Sequence, residues 1–419
     1  MLGVTLDPIH VDNIARLASA IAGTVDETDH DDLTERVWTD FLTPLRDAGE
    51  SVIEPVGDHE RLQAPIDDLA LADRPFPSTH GLDAGTINPT TFKNGLVVDV
   101  AHAAMASVPS NLDLHRSRTL VTTVHTTDTT VDHDVDWVPY DGGFSQRRVI
   151  QVPRAPGFAD EVVHELALYL AESQHALTHA NTVTDLLVLD GPLYPKRLFN
   201  WETRDRELDA LTREAKPRAV VENYVRLVEE FVERDIPLVG FVKNSTSRFV
   251  VRTLESKGIE VPSPDDSALF TRLLEQRVQD SPDTRDTDAL TFTSWFHSRG
   301  GADGTMAATG DAFGIQRELD PELYEVTFFM IYDPREDLLY KVEAPYAFTR
   351  DPDRRDALTT HLIAEVATQR GPPEAIAKAD ELARISAAEK NSLRERFENQ
   401  FATEALRTYD DYRWDDSEQ

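Results

Sequence analysis

Val183-Thr-Asp-Leu-Leu-Val-Leu-Asp-Gly-Pro-Leu-Tyr-Pro-Lys-Arg197 decides how the rest of the chain is read. Leu186 to Leu189 is an apolar run too short for a helix and suited to a buried strand. Asp190-Gly191-Pro192 stops it abruptly. The Asp190 carboxylate therefore stands at the C-terminal edge of a strand, where open α/β sheets bind ligands. Two readings fit this stretch alone. Asp190 caps its own turn, as Asp before Gly often does, or it faces a ligand. The choice rests on what the neighbouring elements bring to the same edge.

Before this strand, residues 159–180 repeat apolar positions with a helical period (Val162, Leu166, Tyr169, Ala176) and carry Glu172 among them. After it comes a helix over 217–234, then the strand Ile236 to Val242, ending at Lys243. Upstream lie three strands: Gly81 to Thr86, broken by Gly85, then Gly95 to Ala101 and Arg118 to His125. Residues 126–137 read as a hairpin extension or a loop. Residues 1–75 read as a helical N-terminal extension, with amphipathic helices over 11–22 and around Leu33, Val37 and Phe41, and a Pro- and Asp-rich connection from 52 to 80. Residues 76–407 form the main body, with a charged helical insertion near 245–286. A hairpin follows, Tyr324 to Tyr332 and Leu338 to Glu343, then helices over 352–370, 373–386 and 387–407. Residues 408–419 are an acidic tail.

The chain has 419 residues, room for one elaborated domain or two. Acidic residues number 76 against 42 basic, a formal charge of −34, and only eight of the basic residues are lysine. The acidity is spread along the chain, and the apolar periodicity speaks against disorder. A folded protein with a solvated acidic surface fits, and a cytoplasm of very high salt, a halophilic setting, is the simplest one. There the Debye length falls to about 3 Å and self-repulsion is screened. Attraction between opposite charges weakens as well, so the negative charge argues only weakly against a DNA partner. No cysteine is present, which excludes disulfides and thiol catalysis. No run approaches a membrane span; the expectation is a cytoplasmic protein without membrane contact.

Three antiparallel strands, then helix, strand, helix and strand, is the order of a ribonuclease-H-like core with a mixed sheet. Sites on such a core take one carboxylate from the first strand, one from the first core helix, one from the end of the fourth strand and one from a late helix. Asp83, Glu172, Asp190 and Asp380 stand in those places. Four converging carboxylates repel unless cations lie between them. Oxygen donors suit Mg2+ or Mn2+, and two such ions could hydrolyse a phosphodiester. Each acid also has a plain reading: Asp83 as a turn cap at Gly85, Glu172 on a solvated helix face, Asp380 in the charged run Ala377-Lys-Ala-Asp-Glu. Lys243 would contact a phosphate or polarise the attacking water, or simply be solvated. Lys93 and Lys196 also fall near these stretches. Arg248 and Arg299 read as surface arginines before phosphate contacts. Trp295-Phe296 and Tyr346 to Phe348 read as core before base-stacking platforms. The Gly-rich Ser298 to Gly304 lacks the ending of a phosphate loop, and His125 and His133 read as surface histidines.

The chain resembles the NurA-type nucleases from about residue 80 to 390. Leu82-Asp83-Ala84-Gly85-Thr86 is similar to their first-strand motif, Leu170-Ala-Glu-Ser173 to the helix acid, and Leu189-Asp190-Gly191-Pro192-Leu193 to the third motif. Val239-Gly-Phe-Val-Lys-Asn244 and Tyr340-Lys-Val-Glu-Ala-Pro345 resemble two later strands. The resemblance implies a metal-dependent DNA nuclease that trims ends for double-strand-break repair, works as a homodimer and docks on a HerA-type hexameric ATPase. Asp83, Glu172, Asp190 and Asp380 would be its metal ligands. Two departures stand out. Asp83-Ala84-Gly85-Thr86 replaces Asp-Gly-Ser, and Asp380 follows Ala379 where the family usually has histidine. The second implies an altered metal preference or a non-catalytic adaptor that keeps the ATPase contact.

Overall fold

The structure, a computed structural model, describes residues 7–22, 27–128, 130, 133–278 and 281–407; the tail 408–419 lies outside them. The middle of its large sheet is β1 (Thr79–Thr86), β2 (Val97–Val108), β3 (Thr119–His125), β4 (Leu186–Asp190) and β5 (Leu238–Val242). Their order in space is β5-β4-β1-β2-β3. β1, β2 and β3 are antiparallel neighbours, β4 runs parallel to β1, and β5 runs parallel to β4. Antiparallel strands followed by parallel ones is the arrangement expected from the sequence. Parallel neighbours need a long crossover. The chain crosses through α1 (Ala159–His179) before β4 and α2 (Ala215–Glu233) before β5. The hairpin β6 (Val326–Asp333) and β7 (Leu338–Pro345) extends the sheet beyond β5. Among the described residues three long helices follow: α3 (Pro352–Gln369), α4 (Glu374–Ala383) and α5 (Ala387–Phe401).

Alternation along β1 assigns its two faces. A Cβ placed on Gly81 would lie 2.2 Å from the Ala375 carbonyl oxygen, and one on Gly85 would lie 2.0 Å from that of Ala383. α4 therefore lies directly on the face shared by Gly81, Asp83 and Gly85. Gly85 does not break the strand, as the sequence suggested; it makes room for the helix. α1 covers the other face. Thr123 Oγ1 donates to the Val163 carbonyl at 2.7 Å, and Thr119 Oγ1 lies 3.0 Å from His175 Nδ1. Thr119 pairs through Ala103 with Ala84, which puts α1 on the Leu82 and Ala84 side.

The helical reading of 1–75 needs correcting. Pro8–Ala22 and Glu27–Arg36 are helices, but Leu45–Asp47, Glu50–Pro55 and Arg61–Pro65 are strands of the same sheet. Glu50–Pro55 pairs with Phe296–Ser298, and Arg61–Pro65 with Ala289–Thr293. Their partners are so distant along the chain that no local pattern announces them. The insertion near 245–286 holds the helices Phe249–Ser256 and Asp266–Leu274, but it ends in the short strands Arg277–Val278 and Ser281–Arg285. Its apolar side packs with the N-terminal segment: Val250, Leu254 and Phe270 cluster with Val37, Trp38, Leu42, Phe296 and Phe328. Burying side chains of this size contributes about 1.5–3 kcal/mol each, enough to hold both additions to the sheet. Among the described residues no helix is long and apolar enough to cross a membrane.

Candidate active site

Strand register brings the first acids together. Leu189 pairs with Leu82, so Asp190 stands level with Asp83 on the adjacent strand, about 4.8 Å away at the backbone. Val188 pairs with Gly81, which puts Asp190 on the α4 face too. Asp190 is also opposite Phe241 on β5. Lys243, two residues further on, points to the same face, and its Nζ lies 2.6 Å from Asp190 Oδ2. α4 carries Asp380, which is exposed, over this edge. Glu172 comes from α1 and accepts a hydrogen bond from the Tyr224 hydroxyl of α2 at 3.1 Å.

The electrostatics bind these residues into one group. Burial pushes the Asp83 carboxyl up to about 7; Asp190 and Asp380 push the same way. The Ala84 amide, which donates to Asp83 Oδ1 at 2.7 Å, and Lys243 oppose the rise. Burial holds Glu172 well above the ordinary carboxylate range, with Asp83 and Asp190 adding to it and Tyr224 opposing. Asp190 is raised by burial and by Asp380, against its bond to Lys243. Burial works against the charge on Lys243, yet Asp190, Asp380 and Asp83 together raise it. Burial first, and mutual repulsion among the carboxyl groups second, raise Asp83, Glu172 and Asp190 above the ordinary carboxylate range, with Lys243 opposing the rise at Asp83 and Asp190.

The donor set is oxygen only, which fits a hard divalent ion rather than a soft or redox metal. Among the described residues no three His, Cys, Asp or Glu side chains stand at ion-holding spacing. Within the group Lys243 Nζ lies against Asp190 and offsets part of its charge. The chemistry of the group, all carboxylate oxygen, suits magnesium or manganese, and Asp83, Asp190, Glu172 and Asp380 are the residues that would hold such an ion.

Other sequence candidates resolve differently. Arg299 is bound to Glu54 and Glu325 at 2.7 and 2.8 Å and is structural, whereas Arg248 is exposed, 3.6 Å from the equally exposed Glu255, the surface arginine expected. Lys93 is paired with Glu404 on the surface. Trp295, Phe296 and Phe348 are core. His125 is not on the surface: it is buried, and its Nε2 accepts the Ala155 amide at 3.2 Å.

Sequence reasoning missed a buried ion network behind the site. Lys196 Nζ lies 2.6 Å from Asp303 Oδ1 and 2.5 Å from Glu343 Oε1, and Lys341 Nζ lies 2.7 Å from Glu343. Glu343 Oε2 also accepts the Leu193 amide at 3.2 Å. Although burial opposes its charge, the two lysines hold Glu343 down at about 2. The network pins the turn that follows Asp190. Gly240 completes the fit: a Cβ there would lie 2.5 Å from the Leu193 nitrogen. A glycine inside a strand marks such a close approach and is the signal that could have pointed to it.

Fold and site together define a mixed α/β protein with a carboxylate cluster at the C-terminal edge of its parallel strands. The sequence profile of the NurA domain matches residues 77–385, well over half of the chain, and the chain belongs to the NurA domain family. The structure is similar to the crystal structure of the NurA nuclease from Sulfolobus solfataricus, at 12% identity and TM-score 0.52, over 95% of this chain and 98% of that one. It is also similar to a crystal structure of NurA, at 9% identity and TM-score 0.43, over 97% and 99% of the two chains. A crystal structure of NurA with manganese matches at 9% identity and TM-score 0.42, over 95% and 99%. At such identities the likeness concerns the fold. No curated protein sequence matches the chain.

Proposed function

We propose that the protein is a metal-dependent DNA nuclease on a ribonuclease-H-like core. One observation carries the reading: Asp83 and Asp190 stand level on adjacent parallel strands, with Lys243 bound to Asp190 and with Glu172 and Asp380 acting on the same charges. A pair of divalent ions, manganese or magnesium, would supply activation of water and stabilisation of charge at the phosphodiester. Asp83 and Asp190 would hold them, with Glu172 and Asp380 completing the set. Lys243 orients Asp190 and presents a cation to the incoming phosphate. Tyr224 fixes the Glu172 carboxylate. Family membership supports DNA ends as the substrate in double-strand-break repair, a HerA-type ATPase as partner, a homodimer as the assembly and the cytoplasm as the setting.

The test is nuclease activity of the purified full chain in molar KCl with and without manganese or magnesium. Cleavage that needs the ion and is lost in Asp190→Asn supports the reading. A second reading, a non-catalytic adaptor, is favoured by one feature: no three ligand side chains stand at ion-holding spacing among the described residues, with the exposed Asp380 in place of the family histidine. Absence of ion-dependent cleavage by the wild-type chain selects it.

A further inference from the structure

A cleft of about 520 Å³ opens beside the acids rather than over them. Its walls are the connections that leave the two site strands: Asn88 follows β1, and Arg197, Asn200 and Arg204 follow β4. The first turns of α1 form the third side. The cleft therefore occupies the crevice outside the carboxyl ends of the strands, where such sheets bind ligands, and its size suits one. α1 also ties it to the acids. Glu165 in the cleft and Glu172 at the site are two turns apart on one helical face, about 10 Å along the axis.

On a protein of charge −34 this lining is close to neutral. Asp160 accepts a hydrogen bond from Thr91 at 3.1 Å, and Glu161 is paired with Arg204. Glu165 is only 4% exposed, burial raises its carboxyl to about 8, and its Oε2 has no hydrogen-bond partner. His164 is oriented from behind. Its Nδ1 lies 2.8 Å from Oδ2 of the fully buried Asp99, which leaves its Nε2 edge to the cleft. Arg197 is exposed; its charge acts on Glu165 of the same cleft, and no ion pair within 4 Å fixes its guanidinium among the described residues. The cleft thus offers an exposed arginine held by no ion pair, an imidazole of fixed orientation and an exposed amide, Asn200.

We propose that this cleft is a nucleotide subsite in which Arg197 holds a phosphate while His164 and Asn200 contact the attached nucleoside. The proposal rests on the nuclease reading for its substrate. The ligand chemistry, a nucleoside phosphate, has two sources: the strand flanking the reacting bond, or a released mononucleotide. Flanking strand is the better match, because one helix, α1, carries both Glu165 in the cleft and Glu172 at the site.

The experiment measures equilibrium binding to the full-length Asp190→Asn protein, with and without Arg197→Ala. The probes are a labelled single-stranded oligonucleotide and, separately, thymidine 5′-monophosphate. Loss of one phosphate contact weakens oligonucleotide binding uniformly across sequences and lowers the slope of log affinity against log salt by about one. Loss confined to the oligonucleotide assigns the cleft to the strand; loss for the mononucleotide assigns it to the product. Unchanged binding of both overturns the proposal. In the turnover assay, Arg197→Ala on an otherwise native chain should raise KM by about tenfold and leave kcat the lesser effect. Arg197 is exposed, so an unchanged thermal midpoint serves as the folding control. If the wild-type chain cleaves nothing while binding still depends on Arg197, the nuclease reading fails and the subsite stands. If cleavage is intact and Arg197→Ala changes neither KM nor binding, the subsite alone fails.

Discussion

Asp83 is held above its ordinary value by burial and by the charges of Asp190 and Asp380. The folded protein therefore binds its proton more tightly than the unfolded chain does. That stabilisation is complete below the ordinary value of 3.8 and is lost as pH rises through about 7. Asp83→Asn never ionises, so in chelator its stability relative to wild type should climb between pH 4 and 7 and level off above, by an amount on the order of a few kcal/mol. Urea unfolding at pH 5 and pH 8 measures it; an equal difference at both would show that Asp83 carries no such strain. At this scale the sequence was partly legible. Asp190 before Gly191-Pro192 could be placed at a strand end from its neighbours alone. Lys243 and Lys196 could not be told apart, since each follows a strand near an acid. The difference lies in remote partners: Lys243 meets Asp190 at the site, whereas Lys196 is locked between Asp303 and Glu343.

The contact between β1 and α4 sets the distance from Asp380 to the strand acids. It depends on Gly81 and Gly85, over which helix backbone passes. Gly81→Ala puts a methyl group into the Ala375 carbonyl and should destabilise the protein by about 1–3 kcal/mol, with reduced activity as α4 lifts. Denaturant unfolding and turnover measure the two effects; a variant unchanged in both would mean that α4 is not seated as described. The elements that do the chemistry were readable: β4 and β5 as apolar runs, β1 as a short strand, though one wrongly broken at Gly85, and α1 and α2 as helices of strong apolar period. Ala289–Thr293, Phe296–Ser298 and Ser145–Gln151 were not found. They are short and buried or at the sheet margin, and remote pairing determines them.

The whole molecule carries −34 charges. Raising the salt from 0.1 M to 1 M shortens the Debye length from about 10 Å to about 3 Å, which relieves repulsion between surface carboxylates. The thermal midpoint should therefore rise steadily with KCl across that range. A flat or falling curve would mean that surface repulsion does not limit stability. Composition gave this property directly, while the single sheet that gathers strands from both ends of the chain could be seen only in three dimensions.

The central claim is that Asp83 and Asp190, far apart in sequence and level in the sheet, act together at one phosphodiester. Manganese-dependent DNA cleavage by Asp190→Asn, compared with wild type at matched thermal stability in molar KCl, tests it most directly. The account predicts a loss of at least a hundredfold, the scale of removing a principal charge-stabilising group. Cleavage within a few-fold of wild type would contradict it.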